Sequence, residues 1–244
     1  DVAISDLQQQ VITREYASFT ENLYELVDWL KSEGITTVAM ESTGGYWLCL
    51  YILLEEAGIE PYLVNARHVK NVTGRKKDDT DAIWLLKLHS CGLLQKCFQP
   101  DVDFRVLRTY VRQRKKLVTI GSDSVRRMQK ALELMNLKLH VVISDILGKT
   151  GTAMVNAIIS GERNPEKLLQ FKDGRIKAGD EEIMKSLNGI WKEEYLFMLK
   201  QAHDEYMFYQ KQISQCDIKI EDKLQEIAAK KSEGEIPDVE KKKQ

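Results

Sequence analysis

The chain has 244 residues, of which 43% are hydrophobic and 30% are charged, so it can build a folded core and wholesale disorder is excluded. It contains no run of 18 uncharged apolar residues and no basic-then-apolar leader, so we expect neither a membrane-spanning helix nor a secretory signal. Its four cysteines form no CxxC pair, which argues against a zinc site or a disulfide framework and favours a cytoplasmic protein.

The formal net charge of −1 combines two regions of opposite sign. Residues 1–66 carry 11 acidic and 2 basic residues, a net charge of −9, whereas residues 67–130 carry 16 basic and 6 acidic residues, a net charge of +10. Such a basic segment in a nearly neutral chain predicts a polyanionic partner.

Residues 1–99 alternate short apolar runs with amphipathic stretches, the pattern of an α/β domain. The predicted strands are residues 2–4 and 11–16, which form a hairpin, and the short buried runs at 37–40 and 61–64. The predicted helices are one that is capped by Thr20 and ends at Gly34, one at 46–57 that ends at Gly58, and one at 79–94.

After Pro100 the pattern becomes helical. A long helix is predicted over residues 104–139, followed by shorter helices at 153–159 and from Pro165. From Ile183 the pattern is helical again, with a nearly heptad seam that predicts coiled-coil pairing, either within the chain or in a dimer. The seam positions are 199, 202, 206, 209, 213, 216, 220, 224 and 227. The expected organisation is an α/β domain at 1–99, an all-α coiled-coil domain at 100–231 and a linker at 232–244.

Three carboxylates are candidates for a metal site. Glu41 follows a predicted strand, where ligands of open α/β sheets bind, and Asp78 and Asp81 lie one helical turn apart. Clustered carboxylates are the usual ligands of Mg²⁺ in phosphodiester chemistry. Alternatively, Asp78 is only a helix N-cap with Asp81 at the third helical position, and Glu41 is a surface residue.

Two basic segments are candidates for nucleic-acid binding, because neither has many acids and lysine and arginine neutralise phosphates. The first is a predicted loop beside the carboxylates, with Arg67, Lys70, Arg75, Lys76 and Lys77. The second is one face of the first long helix, with Arg105, Arg108, Arg112, Lys115, Lys116, Arg126 and Arg127. Both also fit ordinary solvated surfaces. The aromatic residues Tyr46, Trp47 and Trp84 fit core packing better than base stacking.

Several motifs in this sequence resemble the DEDD transposases of the insertion-sequence-110 family, which includes the Piv-type invertases. They are VAMESTGGYW, LVNARHVKNVTGRKKDDTDAIWL, the following HSCGLL, RKKL at 114–117 and SDILGKTGTAMVNAIISGE at 144–162.

The resemblance implies a RuvC-like, RNase H-type catalytic domain, a coiled-coil region and a C-terminal domain with a nucleophilic serine. It puts Glu41, Asp78 and Asp81 among four carboxylates that bind Mg²⁺ or Mn²⁺. We expect the family's first aspartate and its serine domain to lie outside these 244 residues, which alone should not complete recombination. It also implies DNA as substrate, a structured non-coding RNA that guides the enzyme, and a dimer or tetramer associated with the nucleoid.

Other functions remain open from the sequence alone. A protein-guided invertase would bind DNA directly, a RuvC-like junction nuclease would use water in place of serine, and a non-catalytic RNA-binding scaffold would keep its carboxylates for structure only.

Overall fold

The computed structural model of the protein describes residues 1–5, 10–73 and 80–232. The chain divides into two compact units, Asp1–Gln99 and Pro100–Gln244, and each is described by itself. Most of the hairpin turn, and the predicted linker after Ser232, lie outside the described residues. No helix in the described ranges has both the length and the apolar surface needed to cross a membrane.

The first unit contains two small sheets. Strands β1 and β2 pair antiparallel, and β3 and β4 pair parallel, which confirms the predicted hairpin and the two later strands. The strands are β1 Val2–Ser5, β2 Val11–Arg14, β3 Thr37–Glu41 and β4 Glu60–Val64.

Four helices are described in the first unit: α1 Thr20–Ser32, α2 Trp47–Glu56, α3 Ala66–Asn71 and α4 Asp81–Ser90. The predicted cap at Thr20 is wrong, because Phe19 occupies the N-cap position and Thr20 is already helical. The predicted end of α4 at residue 94 is also wrong, because Gly92 adopts a positive φ of 67° and ends the helix.

The β3–β4 sheet is covered by helices on both faces. On one face, Met40 and Leu63 pack against α1 and α2 in a cluster that also contains Leu26 and Leu54. On the other face, Val64 packs against α3 and α4 in a second cluster. Alternate residues of a strand therefore pack in different cores. On β3, Met40 faces α1 and α2, whereas its neighbour Ala39 faces α4.

The second unit contains helices and no strand among its described residues. Its helices are α5 Val102–Leu134, α6 Leu139–Val142, α7 Lys149–Ile159, α8 Pro165–Leu169, α9 Asp180–Leu187 and α10 Glu193–Ser232. Helix α5 ends earlier than predicted, because Asn136 has a φ of 54° and the chain turns back into the core. The predicted short helices, including the one opened by Pro165, are confirmed.

Helices α5 and α10 pack along each other within one chain. Asp103 bonds to Lys230 near the end of α10, whereas Ser124 bonds to Glu205 near its start, so the two helices run antiparallel. At one end of the pair, α6 to α9 complete an apolar core. Its most buried side chains include Met128, Leu132, Met154, Ile158, Ile183 and Leu199, each at most 3% exposed.

The predicted seam of α10 is only partly buried. Leu224 is 49% exposed, because the neighbouring Lys223 faces α5 and binds Asp103 there. Helix α5 also has apolar residues every three to four positions, and this spacing predicts a buried stripe along its whole length. In the first half of α5 that prediction is wrong, because Phe104, Val111 and Val118 are between 40% and 45% exposed. In that half of α5, the polar side chains of Asp103 and Arg114 contact α10 instead.

Candidate functional site

Glu41 is the last residue of β3, at the carboxyl end of the parallel β3–β4 sheet. Its side chain is half-buried, and it lies opposite Val64 in the strand register. The backbone N–H of Ser42 donates to the carbonyl of Val64 at 2.9 Å, so the sheet continues to this edge. The carboxylate therefore stands on a rigid strand end.

The side chain of Glu41 lies on the α4 side of the sheet. Thr37 and Ala39 share its strand face, and they contact α4: the Thr37 hydroxyl hydrogen-bonds with Nε2 of His89 at 3.2 Å, and Ala39 packs in the α4 cluster. His89 belongs to the last turn of α4 and lies beside the start of β3.

Helix α4 is about as long as the strand it contacts. From His89 to Asp81 the helix rises about 12 Å, and from Thr37 to Glu41 the strand advances about 13 Å. Ala82, the residue after Asp81, lines the same cavity as Glu41.

Asp81 is the first residue of α4, and Thr80 is its N-cap. The Thr80 hydroxyl accepts a hydrogen bond from the Ile83 N–H at 3.3 Å. The alternative interpretation, with Asp78 as cap and Asp81 at the third helical position, is therefore wrong. The carboxylate of Asp81 is favoured by the positive end of the helix but does not supply the cap.

Asp78 lies outside the described residues, as do Arg75, Lys76 and Lys77. Among the residues that the structure does describe, no three His, Cys, Asp or Glu side chains form a group that could hold a metal ion. Glu41 and Asp81 thus offer oxygen donors of the type that Mg²⁺ prefers, but a third described ligand does not accompany them.

A cavity of about 550 Å³ separates β1 from β3. Every residue of both strands lines it, together with apolar side chains from α1 and α4 such as Leu30 and Leu85. Helix α4 contacts both strands, which belong to different sheets. One strand residue fills about 160 Å³ at normal strand spacing and layer thickness, so the cavity has room for about three to four residues of an extended chain.

Residues 67–77 are predicted to form a loop, but the first five of them belong to helix α3, so the prediction is wrong for that part. Asn65 caps α3 by accepting a hydrogen bond from the Arg67 N–H at 2.9 Å, and Val69 anchors the short helix in the core. Asparagine before alanine and arginine is a cap signal that could have been found in the sequence. Arg67 and Lys70 are exposed on α3.

The basic face of α5 points away from α10. Arg108, Arg112, Lys115 and Lys116 are exposed and form no ion pair with any residue that the structure describes. The other predicted cations differ from these four. Arg105 is half-buried, Arg126 pairs with Asp123, and Arg127 pairs with Glu205.

The prediction that Tyr46 packs in the core is wrong, because its side chain is 89% exposed. Trp84 is buried at 8%, and Trp47 is half-buried against Tyr51, as predicted for these two. The Gly-Gly pair directly before Tyr46 is the sequence signal for a turn that projects the next side chain outwards.

Comparison with known proteins gives one match to a family. Residues 1–137, more than half of the chain, match the family model of the insertion-sequence-110 DEDD type, which is described as a transposase. No curated protein matches the chain significantly.

Proposed function

Because the chain belongs to the DEDD transposase family of insertion sequence 110, we propose that it carries the catalytic carboxylates of a DNA transposase that cleaves and rejoins strands. One observation supports this most directly: Glu41 at the end of β3 and Ala82, which follows Asp81 at the start of α4, line the same cavity.

Glu41, Asp78 and Asp81 are the proposed ligands of Mg²⁺ or Mn²⁺. Such ions stabilise the attacking and leaving oxygens of a phosphodiester displacement. The protein groups would hold the scissile phosphate in place, with the strand end fixing Glu41 and the capped helix fixing Asp81. Arg67 and Lys70 on α3 would attract the flanking phosphates.

A RuvC-like fold is proposed for the first unit. One extra strand in the cavity between β1 and β3 would join the two small sheets into one. In the family that this sequence resembles, a strand that carries the first catalytic aspartate precedes such a hairpin. A strand from outside the described residues is the proposed occupant of this cavity, and its aspartate would complete the set of four carboxylates.

The proposed nucleophile is a serine of the family's C-terminal domain. Its hydroxyl oxygen would attack the phosphorus of the scissile phosphate, and the 3′ or 5′ oxygen of the broken strand would leave with a proton. The phosphoserine ester would keep the energy of the phosphodiester bond for strand exchange. Strand exchange between two DNA molecules requires several active sites, so a dimer or tetramer is proposed.

The exposed stripe of Phe104, Val111 and Val118 supports such an oligomer. The three side chains lie seven residues apart on α5, which is the spacing of a coiled-coil seam, and α10 leaves them at least 40% exposed. The stripe would therefore pack against a second copy of the chain.

A structured non-coding RNA is the proposed guide. Arg108, Arg112, Lys115 and Lys116, which form no ion pair with any described residue, make a cationic face on the uninterrupted helix α5. Such a face would contact phosphates and would not read bases. The proposed location is the bacterial or archaeal nucleoid, where the DNA substrate lies.

The catalytic assignment is tested in the full-length protein with Mg²⁺ and DNA that carries the element's ends. Glu41→Gln and Asp81→Asn should each lower strand cleavage at least 100-fold, whereas DNA affinity stays within about threefold, because the carboxylates act on the metal and not on binding. Asp28→Asn, an exposed carboxylate on α1, is the matched control and should cleave normally.

Normal cleavage by Asp81→Asn would show that the carboxylate assignment is wrong. Formation of the covalent phosphoserine ester is measured separately by denaturing electrophoresis. A protein–DNA adduct is expected, and cleavage without any adduct would instead indicate a junction nuclease that uses water.

The guide is tested by purifying the full-length protein through a high-salt wash. One RNase-sensitive species of uniform length is expected to remain bound. Direct DNA binding without RNA would contradict the guide and favour a protein-guided invertase, and RNA binding without metal-dependent cleavage would indicate a scaffold.

A further inference from the structure

Tyr46 presents its aromatic ring to solvent at the edge of the sheet that carries Glu41. Its side chain is 89% exposed, although a phenol ring normally buries much of its surface. The carboxylate proposed for catalysis precedes it by five residues, at the end of β3. Most of the ring surface is therefore left uncovered by the described part of the chain and is accessible to a ligand.

The turn before Tyr46 is braced, so the ring has a defined position. Gly44 has a φ of 58°, and a Cβ atom built on it would lie 3.3 Å from two ring carbons of Tyr46. The ring therefore lies against the glycine. The indole N–H of Trp47 donates to the Gly44 carbonyl at 3.2 Å, and the Trp47 ring meets the buried Tyr51 edge-on at a centroid distance of 5.5 Å.

The same sheet edge carries a cation. Strand β4 ends beside β3, where the Ser42 N–H bonds to the Val64 carbonyl, and α3 with the exposed Arg67 follows directly. The edge thus combines a carboxylate, a free aromatic face and a guanidinium group. A nucleotide offers the matching groups, because its phosphate pairs with arginine and its base stacks on an aromatic ring.

We propose that Tyr46 is a positioning residue that stacks on an unpaired nucleobase of the DNA strand held at Glu41. This inference rests on the proposed transposase function. The base must be unpaired, because the faces of a base inside a duplex are covered by its neighbours. Stacking would hold the strand in register for the carboxylates and would tolerate any base, since every base has a π-face.

The test uses the full-length protein and a single-stranded DNA oligonucleotide with one 2-aminopurine, whose fluorescence falls when the base stacks. Tyr46→Ala should weaken binding about 5- to 100-fold and abolish the quenching, whereas Tyr46→Phe should keep both. The salt dependence of Tyr46→Ala should stay unchanged, because no charge is lost, while Arg67→Ala should flatten the slope by about one unit. Tyr24→Ala, which removes another exposed tyrosine on α1, is the matched control.

Fully paired duplex DNA should bind Tyr46→Ala and the wild type equally. Wild-type affinity and quenching in Tyr46→Ala would overturn the inference, as would a loss confined to RNA of the same sequence. If Tyr46→Ala behaves as wild type while Glu41→Gln still abolishes cleavage, only this inference fails. If the wild type neither binds nor cleaves DNA, the proposed function fails with it.

Discussion

At one end of the α5–α10 helix pair, Leu199 and Met128 are at most 1% exposed inside an apolar core that α6 to α9 complete. At the other end, Asp103 of α5 accepts hydrogen bonds from Lys223 and Lys230 of α10, at 2.7 and 2.8 Å. Glu226 binds the same two lysines. Burial of apolar surface holds the first end, and a four-residue ionic cluster holds the second.

The difference matters because the two forces respond to different conditions. Apolar burial involves no titrating group, whereas hydrogen bonds to a carboxylate are lost in acid. The side chains of Asp103 and Lys223 are only 17% and 12% exposed, so salt screens this pair less than a surface pair. The ionic end leaves Phe104 and Val111 of α5 exposed, which an apolar seam would have covered. The proposed oligomer interface therefore lies at the charged end of the pair.

The largest effect is expected at the apolar end. Leu199→Ala should lower the free energy of unfolding by about 2–5 kcal/mol, because it leaves a cavity in a fully buried site. Chemical denaturation measures this loss. Leu224→Ala on the same helix, at a position that is 49% exposed, is the matched control and should change stability far less. Equal losses would show that the pair is buried uniformly along its length.

A smaller and pH-dependent effect is expected at the ionic end. Hydrogen bonds from Lys223 and then Lys230 hold the pKa of Asp103 below its usual value of 3.8. The stabilisation is therefore present in full above about pH 5 and is lost as the pH falls through the lowered pKa. Asp103→Asn should destabilise the protein at pH 7 less than Leu199→Ala does, and the deficit should vanish in acid.

Asp123→Asn is the matched control for this pH dependence. Asp123 also lies on α5, but its ion pair with Arg126 is exposed on both sides and spans one turn of the same helix. Exposed pairs of this kind contribute little. A deficit in Asp103→Asn that persists unchanged at pH 2 would contradict the ionic account.

The exposed stripe on α5 should affect assembly and not folding. Val111→Asp should leave the free energy of unfolding of one chain within about 0.5 kcal/mol of wild type, because the side chain is 45% exposed. Light scattering should nevertheless show dissociation of the proposed oligomer. An unchanged molecular mass would show that the oligomer interface does not include Val111.

Ile213→Asp should instead disrupt the packing of α10 on α5, because it places a charge at a position that is only 7% exposed.

The smallest effect on stability is expected on the basic face. The double variant Arg112→Ala and Lys116→Ala should melt as the wild type does, because neither side chain pairs with any residue in the described part of the chain. Its nucleic-acid affinity should fall, and the salt slope should flatten by about two units. An unchanged slope would place the nucleic-acid surface away from α5.

Local signals in the sequence predicted the strands and most helices well. Gly34, Gly58 and Gly161 end helices with positive φ angles, and Pro165 opens α8, because these residues act through the backbone and need no tertiary partner. The start of α4 was harder, since Asp78, Asp79 and Thr80 are three possible caps in a row. Only the hydrogen bond to Ile83 identifies Thr80.

Tertiary partners decided what the sequence could not predict. The periodicity of α5 predicts an apolar face, but it does not say that Arg114 and Asp103 meet α10 while Val111 stays outside. Aromatic residues in a helical pattern suggest a core, so the exposure of Tyr46 required the turn geometry. For the candidate site, the sequence named Glu41 and Asp81. The cavity that Glu41 shares with the first turn of α4 depends on how that helix packs on the sheet, which the sequence does not show.

The proposed nucleic-acid face of α5 is short. Between Arg108 and Lys116 the helix rises about 12 Å, as far as about three to four base pairs of B-form DNA extend along their axis. One face of a single helix does not wind around that axis, so this proposed surface alone contacts less than a full helical turn of duplex. In the proposed oligomer, each added copy should therefore lengthen a nuclease footprint by a fixed increment, and the footprint length would count the bound protomers.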